Sequence, residues 1–268
     1  NMGLVGAVVQ IFFPKKTKTA KYAGNWDPKA KQPFTYKLQR WVLSNTFLTK
    51  NMQVLVYGDW PNQTKNIKPF FTATYSEAEV RGAKYEVRSA EDKVLTFLFV
   101  GTLSKGKQPL YAIQLVEGLY RQGKKVQLDV YGEGVLRAEI EHYIFQNNLE
   151  AIVTLKGNQA KEIILNAYQT SHFLILPSKS EGWPKVVAEA MFWGCVPIAS
   201  PVSCVSYMMG NGSRGILLHE KIQEDINQIT AVIKDQDLYL KMASEGQSWS
   251  QQFTTDKFEA EISKLLKG

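Results

Sequence analysis

The sequence has few of the residues that build disulfide frameworks and metal sites. Its 268 residues include two cysteines and three histidines. Cys195 and Cys204 do not make a disulfide framework, and a reducing compartment is the simpler interpretation. His142, His172 and His219 are scattered along the chain and lack zinc-ligand spacing. Neither a disulfide-stabilised scaffold nor a histidine zinc site is therefore favoured.

Long apolar runs are also absent. No stretch approaches the ~20 consecutive apolar residues that span a bilayer. The apolar segment 4–13 precedes Lys15 and Lys16 instead of following them, which is the reverse of a signal peptide. We found no internal repeat, no Gly-x-Ser-x-Gly elbow and no phosphate loop of the Gly-Lys-Ser/Thr type. The sequence predicts a soluble or peripheral protein of the cytoplasm, which would work at the inner face of the membrane if it is peripheral.

Acidic residues are scarce in the first third of the chain. Residues 1–90 carry 14 Lys and Arg against 5 Asp and Glu, whereas the remainder carries 18 against 20. A basic segment of this kind predicts contact with an anionic partner, such as nucleic acid, an anionic membrane surface or a phosphorylated acceptor. A basic solvated surface without function is the alternative.

After residue 92 the sequence alternates short apolar runs with helical patterns. The runs are Leu95–Val100, Val126–Tyr131, 152–155, Phe173–Leu176 and Val196–Ala199. Between the first two, residues 109–122 place most of their apolar side chains on one helical face. Short apolar runs without polar alternation are typical of buried parallel strands. Residues 92–250 are therefore predicted to form a doubly wound α/β domain.

The first 90 residues are less regular. Segment 4–13 is apolar all round, which predicts a buried helix. Segments 19–24 and 53–58 are predicted strands, with a helix over about 34–48 between them. Two strands do not close a sheet, so this part is predicted to be an incomplete α/β unit.

A predicted linker connects these two units, and a predicted amphipathic tail follows the second. Residues 78–94 are polar and charged, which is typical of a linker. Residues 249–266 form an amphipathic tail that offers Phe253 and Phe258 for packing. Asp235, which lies between two helical patterns, is predicted to cap a helix instead of holding a metal–nucleotide complex.

The strongest local feature is the segment 177–191, PSKSEGWPKVVAEAM. It follows a buried strand and so lies at a strand's carboxyl end, where open α/β sheets bind ligands. Pro184 suits the first helical position. The N–H groups of Lys185, Val186 and Val187, with the helix dipole, would then form an anion site suited to a pyrophosphate.

Two glutamates border this predicted helix start. Glu189 lies in the second turn, where its carboxylate can accept two hydrogen bonds from a vicinal diol such as a ribose. Glu181 precedes the helix and can reach sugar hydroxyls on the other side of the phosphates. In the alternative interpretation Glu181 is an ordinary cap and Glu189 an exposed helix residue.

Glycine-containing loops follow the first two predicted strands of this domain. The loop from Gly101 to Lys107 ends in lysines at a helix start, a generic phosphate-binding arrangement whose alternative is a tight turn with solvated lysines. Gly132-Glu133-Gly134 resembles a dinucleotide fingerprint, but that fingerprint belongs after the first strand and Arg137 replaces its third glycine. NAD binding is therefore disfavoured.

Taken in order, these segments resemble the retaining GT-B glycosyltransferases of family 4, the glycosyl transferases group 1 domain. The resemblance runs from about residue 93 to the C-terminus. It is carried above all by Glu181 and Glu189 with seven residues between them, followed by Ala190-Met191, Gly194 and the strand Val196–Ala199. Residues 22–25, 53–58 and 75–77 look like the last part of the family's acceptor-binding domain.

The resemblance implies an α/β fold of the GT-B type with one complete Rossmann-like parallel sheet and a partial second α/β domain. Residues 1–90 would be the partial acceptor-side domain, 91–250 the donor-binding domain, and 251–268 a helix that crosses back to the first part. The acceptor domain's own first strands and glycine-rich loop are missing, so we expect the sequence to be a fragment of a longer enzyme.

The resemblance also implies a role for each site residue. Glu181 would be the catalytic residue that holds the transferred sugar, Glu189 would bind the ribose and Lys107 would neutralise the pyrophosphate. The implied donor-binding set is Gly101, Thr102, Lys107, Asn158, Gln159, Gly182, Trp183, Pro184, Lys185, Val186 and Glu189. No metal and no cofactor would be needed, because lysine and the helix start stabilise the leaving nucleotide diphosphate.

The implied function is transfer of a sugar from a UDP- or GDP-sugar to a glycan or lipid-linked acceptor with retention, in bacterial surface polysaccharide synthesis. The acceptor would be anionic or lipid-linked, with peripheral membrane contact through residues 1–90. Two departures count against turnover: Thr102 replaces the family's arginine and Ala23 its histidine. A non-catalytic nucleotide-sugar-binding module is thus the first alternative, and a nucleic-acid binder through residues 1–90 is a less favoured second.

Overall fold

A computed structural model describes residues 2–82, 88–89 and 94–267. Its helices and strands form two groups, each built around a parallel sheet. The first group contains α1 (Met2–Val9), β1 (Lys18–Tyr22), α2 (Phe34–Ser44), β2 (Met52–Tyr57), β3 (Ile67–Phe70) and α3 (Glu77–Gly82). The second contains β4 (Leu95–Val100), α4 (Pro109–Arg121), β5 (Val126–Tyr131), α5 (Arg137–Gln146), β6 (Val153–Gly157), α6 (Lys161–Thr170), β7 (Phe173–Leu176), α7 (Lys185–Phe192), β8 (Val196–Ala199), α8 (Val205–Met208), β9 (Ile216–Leu217), α9 (Ile222–Lys234), α10 (Gln236–Ser250) and α11 (Thr255–Lys267).

Within the described residues, the two sheets have the strand orders β1-β2-β3 and β6-β5-β4-β7-β8-β9. Every recorded strand pairing is parallel. The predicted α/β class with parallel sheets is therefore confirmed. In the larger sheet the strand order reverses between β4 and β7, which makes their carboxyl ends a topological switch point.

The larger sheet is buried on both faces by its helices. All four residues of β7 and of β8 are buried, as the uninterrupted apolar runs predict for central parallel strands. Phe97 of β4 stacks on Phe173 of β7 with ring centroids 5.1 Å apart. This packing fixes where the loops after β4 and β7 emerge.

The two groups share one apolar cluster. Tyr57 at the end of β2 lies 5.6 Å from Trp183 between ring centroids, and Tyr75 lies 4.8 Å from Phe192. Phe71 also belongs to this cluster. Burying large aromatic surfaces is a major stabilising term, so the groups pack as one body around this interface.

The final helix contacts the first group. Phe258 of α11 packs against Phe70 with ring centroids 5.6 Å apart, and Phe253 packs against Phe71 at 4.9 Å. The backbone N–H of Glu77 donates to the Asp256 carboxylate at 2.8 Å. Phe258 thus packs against residues of the first group, whereas Phe253 packs against both groups, since Trp183 and Trp249 also contact its ring.

Two predictions about the first group are wrong. Segment 4–13 is not a buried helix: α1 ends at Val9, and Val5 and Phe12 are 53% and 76% exposed. The reason is that α1 packs against α2 on one face only. The first sheet also has a third strand, β3, which was not predicted because Lys68 and Pro69 interrupt its apolar pattern. The proline is tolerated because β3 lies at the edge of the sheet.

The predicted linker is only partly visible. Its first residues belong to α3, whereas residues 83–87 and 90–93 and the predicted boundary between residues 90 and 91 lie outside the described residues. Asp235 caps α10 as predicted, because its carboxylate accepts from the N–H of Leu238 at 2.9 Å. In the part of the chain that the structure covers, no helix combines the length and the apolar character that crossing a membrane requires.

Candidate functional site

The loops that leave the carboxyl ends of β4, β5 and β6 pack into one wall. The N–H of Gly101 donates to the Tyr131 carbonyl at 3.0 Å, and the N–H of Gly132 donates to the Gly157 carbonyl at 2.8 Å. Gly132 has φ +133°, and a Cβ there would lie 2.0 Å from the Gly101 carbonyl oxygen. Only glycine fits this close backbone approach.

The loop after β4 is tied to the loop after β7 across the switch point. The N–H of Lys179 donates to the Gly106 carbonyl at 2.9 Å. The Gln108 side-chain amide donates to the Pro177 carbonyl at 2.6 Å. These bonds hold the lysine of the first loop beside the glutamate of the second.

The Lys107 ammonium and the Glu181 carboxylate form an ion pair at this point. Lys107 Nζ lies 2.5 Å from Glu181 Oε1, and the two side chains are 31% and 9% exposed. A carboxylate this buried requires a charged partner, since an unpaired buried charge is strongly destabilising. The pair places a partly accessible ammonium at the edge of the sheet, where it can turn to an incoming anion.

Helix α7 begins one residue later than predicted. Pro184 has φ −73° and ψ 92°, so it occupies the N-cap, and Lys185 is the first helical residue. The N–H of Val187 donates to the Pro184 carbonyl at 3.0 Å. The helix start therefore offers an anion the N–H groups of Lys185 and Val186, and not that of Val187.

The Glu189 carboxylate is held from two sides. Its Oε1 accepts from the Thr74 hydroxyl at 2.7 Å, and its Oε2 accepts from the Tyr168 hydroxyl at 3.0 Å. Burial, followed by the nearby Glu189 charge, raises the pKa of Tyr168, so its hydroxyl keeps its proton and donates. Glu189 is thus a fixed, half-buried acceptor and not the exposed helix residue of the alternative interpretation.

The other predicted site residues lie in two separate places. Gly101, Thr102, Asn158 and Gln159 line a cleft of about 450 Å³ beside the loops after β4, β5 and β6. Trp183, Lys185 and Glu189 instead line a narrow cavity together with Thr74. The structure brings the predicted set to one edge of the sheet without placing it in a single pocket.

The end of β1 closes over Gly182. A Cβ on Gly182 would lie 2.5 Å from the Ala23 carbonyl oxygen, so this contact requires glycine. The Gly182 carbonyl accepts from Ser203 Oγ and Cys204 Sγ, each at 3.1 Å. Burial raises the pKa of Cys204 to about 12, which keeps its thiol protonated as a donor. Position 23 therefore presents a backbone carbonyl to the site, and not a titratable side chain.

Sequence reasoning missed both hydrogen-bond partners of Glu189. Thr74 lies 115 positions from Glu189 and comes from the first group, and no local pattern marks it. Tyr168 has the ordinary spacing of an apolar residue in α6. Only the fold brings these residues together.

Comparisons with known proteins point to one family. The family model described as glycosyl transferases group 1 matches residues 83–249. The α-D-kanosaminyltransferase of Streptomyces kanamyceticus is 26% identical over 169 residues, which are 63% of this chain and 44% of that protein. Among the curated relatives matched, this chain spans about half of their length, from 39% to 51%.

Solved structures share the fold. Anabaena HepE in complex with UDP superposes with a TM-score of 0.75 at 17% identity, over 99% of this chain and 76% of that one. A mutant of Staphylococcus aureus TarM in complex with fondaparinux, α-GlcNAc-glycerol and UDP gives a TM-score of 0.70 at 16% identity, over 94% of this chain and 51% of that one. At these identities the likeness concerns the fold alone.

Proposed function

The chain belongs to the glycosyl transferases group 1 family, and on this premise we propose that its larger sheet binds the nucleoside diphosphate of an activated sugar. The sugar would pass to a glycan or lipid-linked acceptor. The bond between the anomeric carbon and the distal phosphate breaks, and a bond from that carbon to an acceptor hydroxyl forms with retained configuration. The leaving group is the nucleoside diphosphate.

One observation carries this proposal. The Lys107 ammonium lies 2.5 Å from the Glu181 carboxylate at the switch point, between the loop after β4 and the start of α7. An arriving diphosphate can take over the ammonium, and the N–H groups of Lys185 and Val186 supply further donors. Glu181 is then released to accept hydrogen bonds from the transferred sugar, which is the role we give it in catalysis.

The remaining donor contacts follow from the two places described above. Glu189 is oriented by Thr74 and Tyr168 to accept from the ribose diol. Asn158 and Gln159 line the 450 Å³ cleft together with Thr102, and we place the base there. We favour UDP over GDP, since HepE and TarM were solved with UDP.

A second candidate is binding of the nucleotide-sugar without turnover. The observation that favours it is at position 23, where Ala23 brings its carbonyl to Gly182 and supplies no side chain that could carry a proton. Thr102 likewise lacks the positive charge that would supplement Lys107. Donor binding without release of free sugar or transfer by the full-length protein would identify this case.

The first group supports an acceptor that is anionic or held at a membrane surface, as in bacterial surface polysaccharide synthesis at the cytoplasmic face. Phe12 and Phe13 are exposed and lie next to Lys15 and Lys16 in the chain. Apolar side chains beside lysines suit an anionic lipid surface. Binding to vesicles with anionic lipid, and not to neutral vesicles, would test this contact.

The donor proposal predicts a thermal shift that does not need metal. In buffer with EDTA, UDP at ten times its dissociation constant is expected to add about 1.4 kcal/mol of stability and to raise Tm by about 3 °C. The lysine and the helix start supply the positive charge, so added Mg²⁺ should leave the shift unchanged. A shift that appears only with Mg²⁺ contradicts the metal-free site, and no shift with UDP-, GDP- or ADP-sugars contradicts donor binding.

Tyr168→Phe tests the support of Glu189. The variant loses the 3.0 Å hydrogen bond that the Tyr168 hydroxyl donates to the Glu189 carboxylate. This loss should lower the free energy of unfolding by about 1 kcal/mol and weaken UDP binding by about threefold. Tyr143→Phe is the matched control. The Tyr143 hydroxyl donates a similar hydrogen bond to the Glu117 carboxylate, 2.6 Å long, and this pair lies outside the proposed site. It should lower stability while leaving UDP affinity unchanged. Equal UDP affinities for both variants would remove the link between Tyr168 and the donor.

A further inference from the structure

Lys21 of β1 brings a positive charge into the junction between the two groups. Its Nζ atom lies over three aromatic rings, 4.8 Å from the ring centroid of Phe258, 5.4 Å from that of Tyr57 and 5.6 Å from that of Phe70. These rings belong to α11, β2 and β3. Successive side chains of a strand point to opposite faces of the sheet, and Tyr22 packs with residues of α1 and α2. Lys21 therefore lies on the other face, which α11 covers.

This face of the smaller sheet meets the start of α7. The Tyr57 ring, over which the Lys21 ammonium lies, is also 5.6 Å from the Trp183 ring between centroids. Trp183 precedes α7 by two residues, and Lys185 is the first residue of that helix. Burial, followed by the charge of Lys185, lowers the pKa of Lys21. The two ammonium groups are thus close enough for each to act on the other.

No acidic side chain neutralises this pair of lysines. Among the residues that the structure describes, neither Lys21 nor Lys185 forms an ion pair with a carboxylate. The two glutamates nearest to the start of α7 are engaged elsewhere. Glu181 pairs with Lys107, and both oxygens of Glu189 accept from hydroxyl groups. Two like charges without an acidic partner disfavour each other, and an anion between them relieves this repulsion.

The aromatic rings hold the Lys21 ammonium only weakly. The side chain is exposed, and contacts between a cation and a ring at exposed sites contribute less than charge-assisted hydrogen bonds to phosphate. The four-carbon stem of lysine is flexible. An arriving phosphate can therefore draw the ammonium away from the rings by side-chain rotation, without a change in the backbone of β1.

We propose that Lys21 is a donor-binding residue that the first group contributes. Its ammonium, together with that of Lys185, binds the diphosphate of the activated sugar and supplies the positive charge that Thr102 does not. The inference rests on the proposed function, because it takes the nucleoside diphosphate as the anion. It adds that tight donor binding requires both groups, whereas the donor-binding residues implied by the sequence all lie in the second.

Calorimetric titration of UDP, pyrophosphate and uridine into the full chain tests this role. Lys21→Met keeps the length of the side chain and removes its charge. It should weaken the binding of UDP and of pyrophosphate about tenfold, and that of uridine less than about twofold, because uridine carries no phosphate. Lys21→Arg retains the charge, so its UDP affinity should stay within about threefold of the wild type.

Lys257→Met is the matched control. Lys257 Nζ lies 5.5 Å from the ring centroid of Phe253, so this variant loses a similar contact with an aromatic ring of the same interface. It should leave UDP affinity unchanged. Unchanged UDP affinity in Lys21→Met, or equal losses for UDP and uridine, would overturn the inference and leave the donor proposal standing.

Failure of the proposed function has a different signature. A wild-type chain that binds neither UDP nor pyrophosphate would contradict the donor site and the role of Lys21 together. Pyrophosphate binding that depends on Lys21, without any binding of UDP, would retain the anion site between the two lysines and contradict the donor proposal.

Discussion

Replacing Lys107 with methionine is expected to weaken UDP binding about 30-fold while changing uridine binding less than about twofold. The ammonium meets only the phosphates, so the nucleoside, which carries none, should not sense its loss. Methionine preserves the length of the side chain within the loop. Calorimetric titration of both ligands into the wild type and the variant measures the difference.

Part of the expected loss comes from Glu181. Its carboxylate is 9% exposed and lies 2.5 Å from the ammonium. Without Lys107 this buried negative charge would face the diphosphate unpaired and repel it. The double variant Lys107→Met with Glu181→Gln should therefore bind UDP more tightly than Lys107→Met alone.

A second lysine of the same loop is the control for this pair. Lys105 is exposed, and its replacement by methionine should change UDP affinity by less than about twofold. Equal losses for UDP and uridine in the Lys107 variant would place this lysine away from the phosphates. A double variant that binds no better than the single one would show that Glu181 does not face the diphosphate.

The strands of the larger sheet could be predicted from the sequence because each buried strand is an uninterrupted run of apolar residues. The residues of β4, β5, β7 and β8 were predicted with the limits that the structure shows. Central parallel strands are covered on both faces, so their apolar runs are uninterrupted and their ends are sharp. The strand β9 was not predicted, because its two residues are too few to form a recognisable apolar run.

The smaller sheet was harder to predict because its elements are covered on fewer sides. In α1 the apolar residues suggested complete burial, whereas the structure leaves most of them exposed. In β3 a lysine and a proline broke the pattern on which strand prediction depends. Hydrophobicity reports what a segment could bury, and the neighbours that the fold provides decide what it does bury.

The site shows a similar limit. The position of a loop at the carboxyl end of a buried strand can be derived from pattern alone, which placed Gly101, Lys107 and Glu181 at one edge of the sheet. Side-chain contacts across 74 and 115 positions cannot be derived that way, since no periodicity links the two segments. The roles given to these residues stay predictions until binding is measured.

Glu189 provides the sharpest of these measurements, because the structure shows how its carboxylate is oriented. Thr74 donates to one oxygen at 2.7 Å and Tyr168 to the other at 3.0 Å. Each carboxylate oxygen keeps a further lone pair. A ribose diol could therefore donate to both oxygens without displacing either protein partner.

Glu189→Ala is expected to weaken the binding of UDP and of uridine alike, by about 1.5–3 kcal/mol, which is the typical contribution of hydrogen bonds to a charged group. The matched ligand is 2′-deoxyuridine, which lacks one of the two hydroxyls and should lose less affinity than uridine when the carboxylate is removed. Glu189→Gln retains the side-chain volume and one acceptor oxygen, so it should fall between the wild type and the alanine variant. Calorimetry with the three ligands closes a double-mutant cycle between the carboxylate and the 2′-hydroxyl. A coupling energy of zero in that cycle would place the ribose elsewhere and leave Glu189 as a structural bridge between α6, α7 and Thr74.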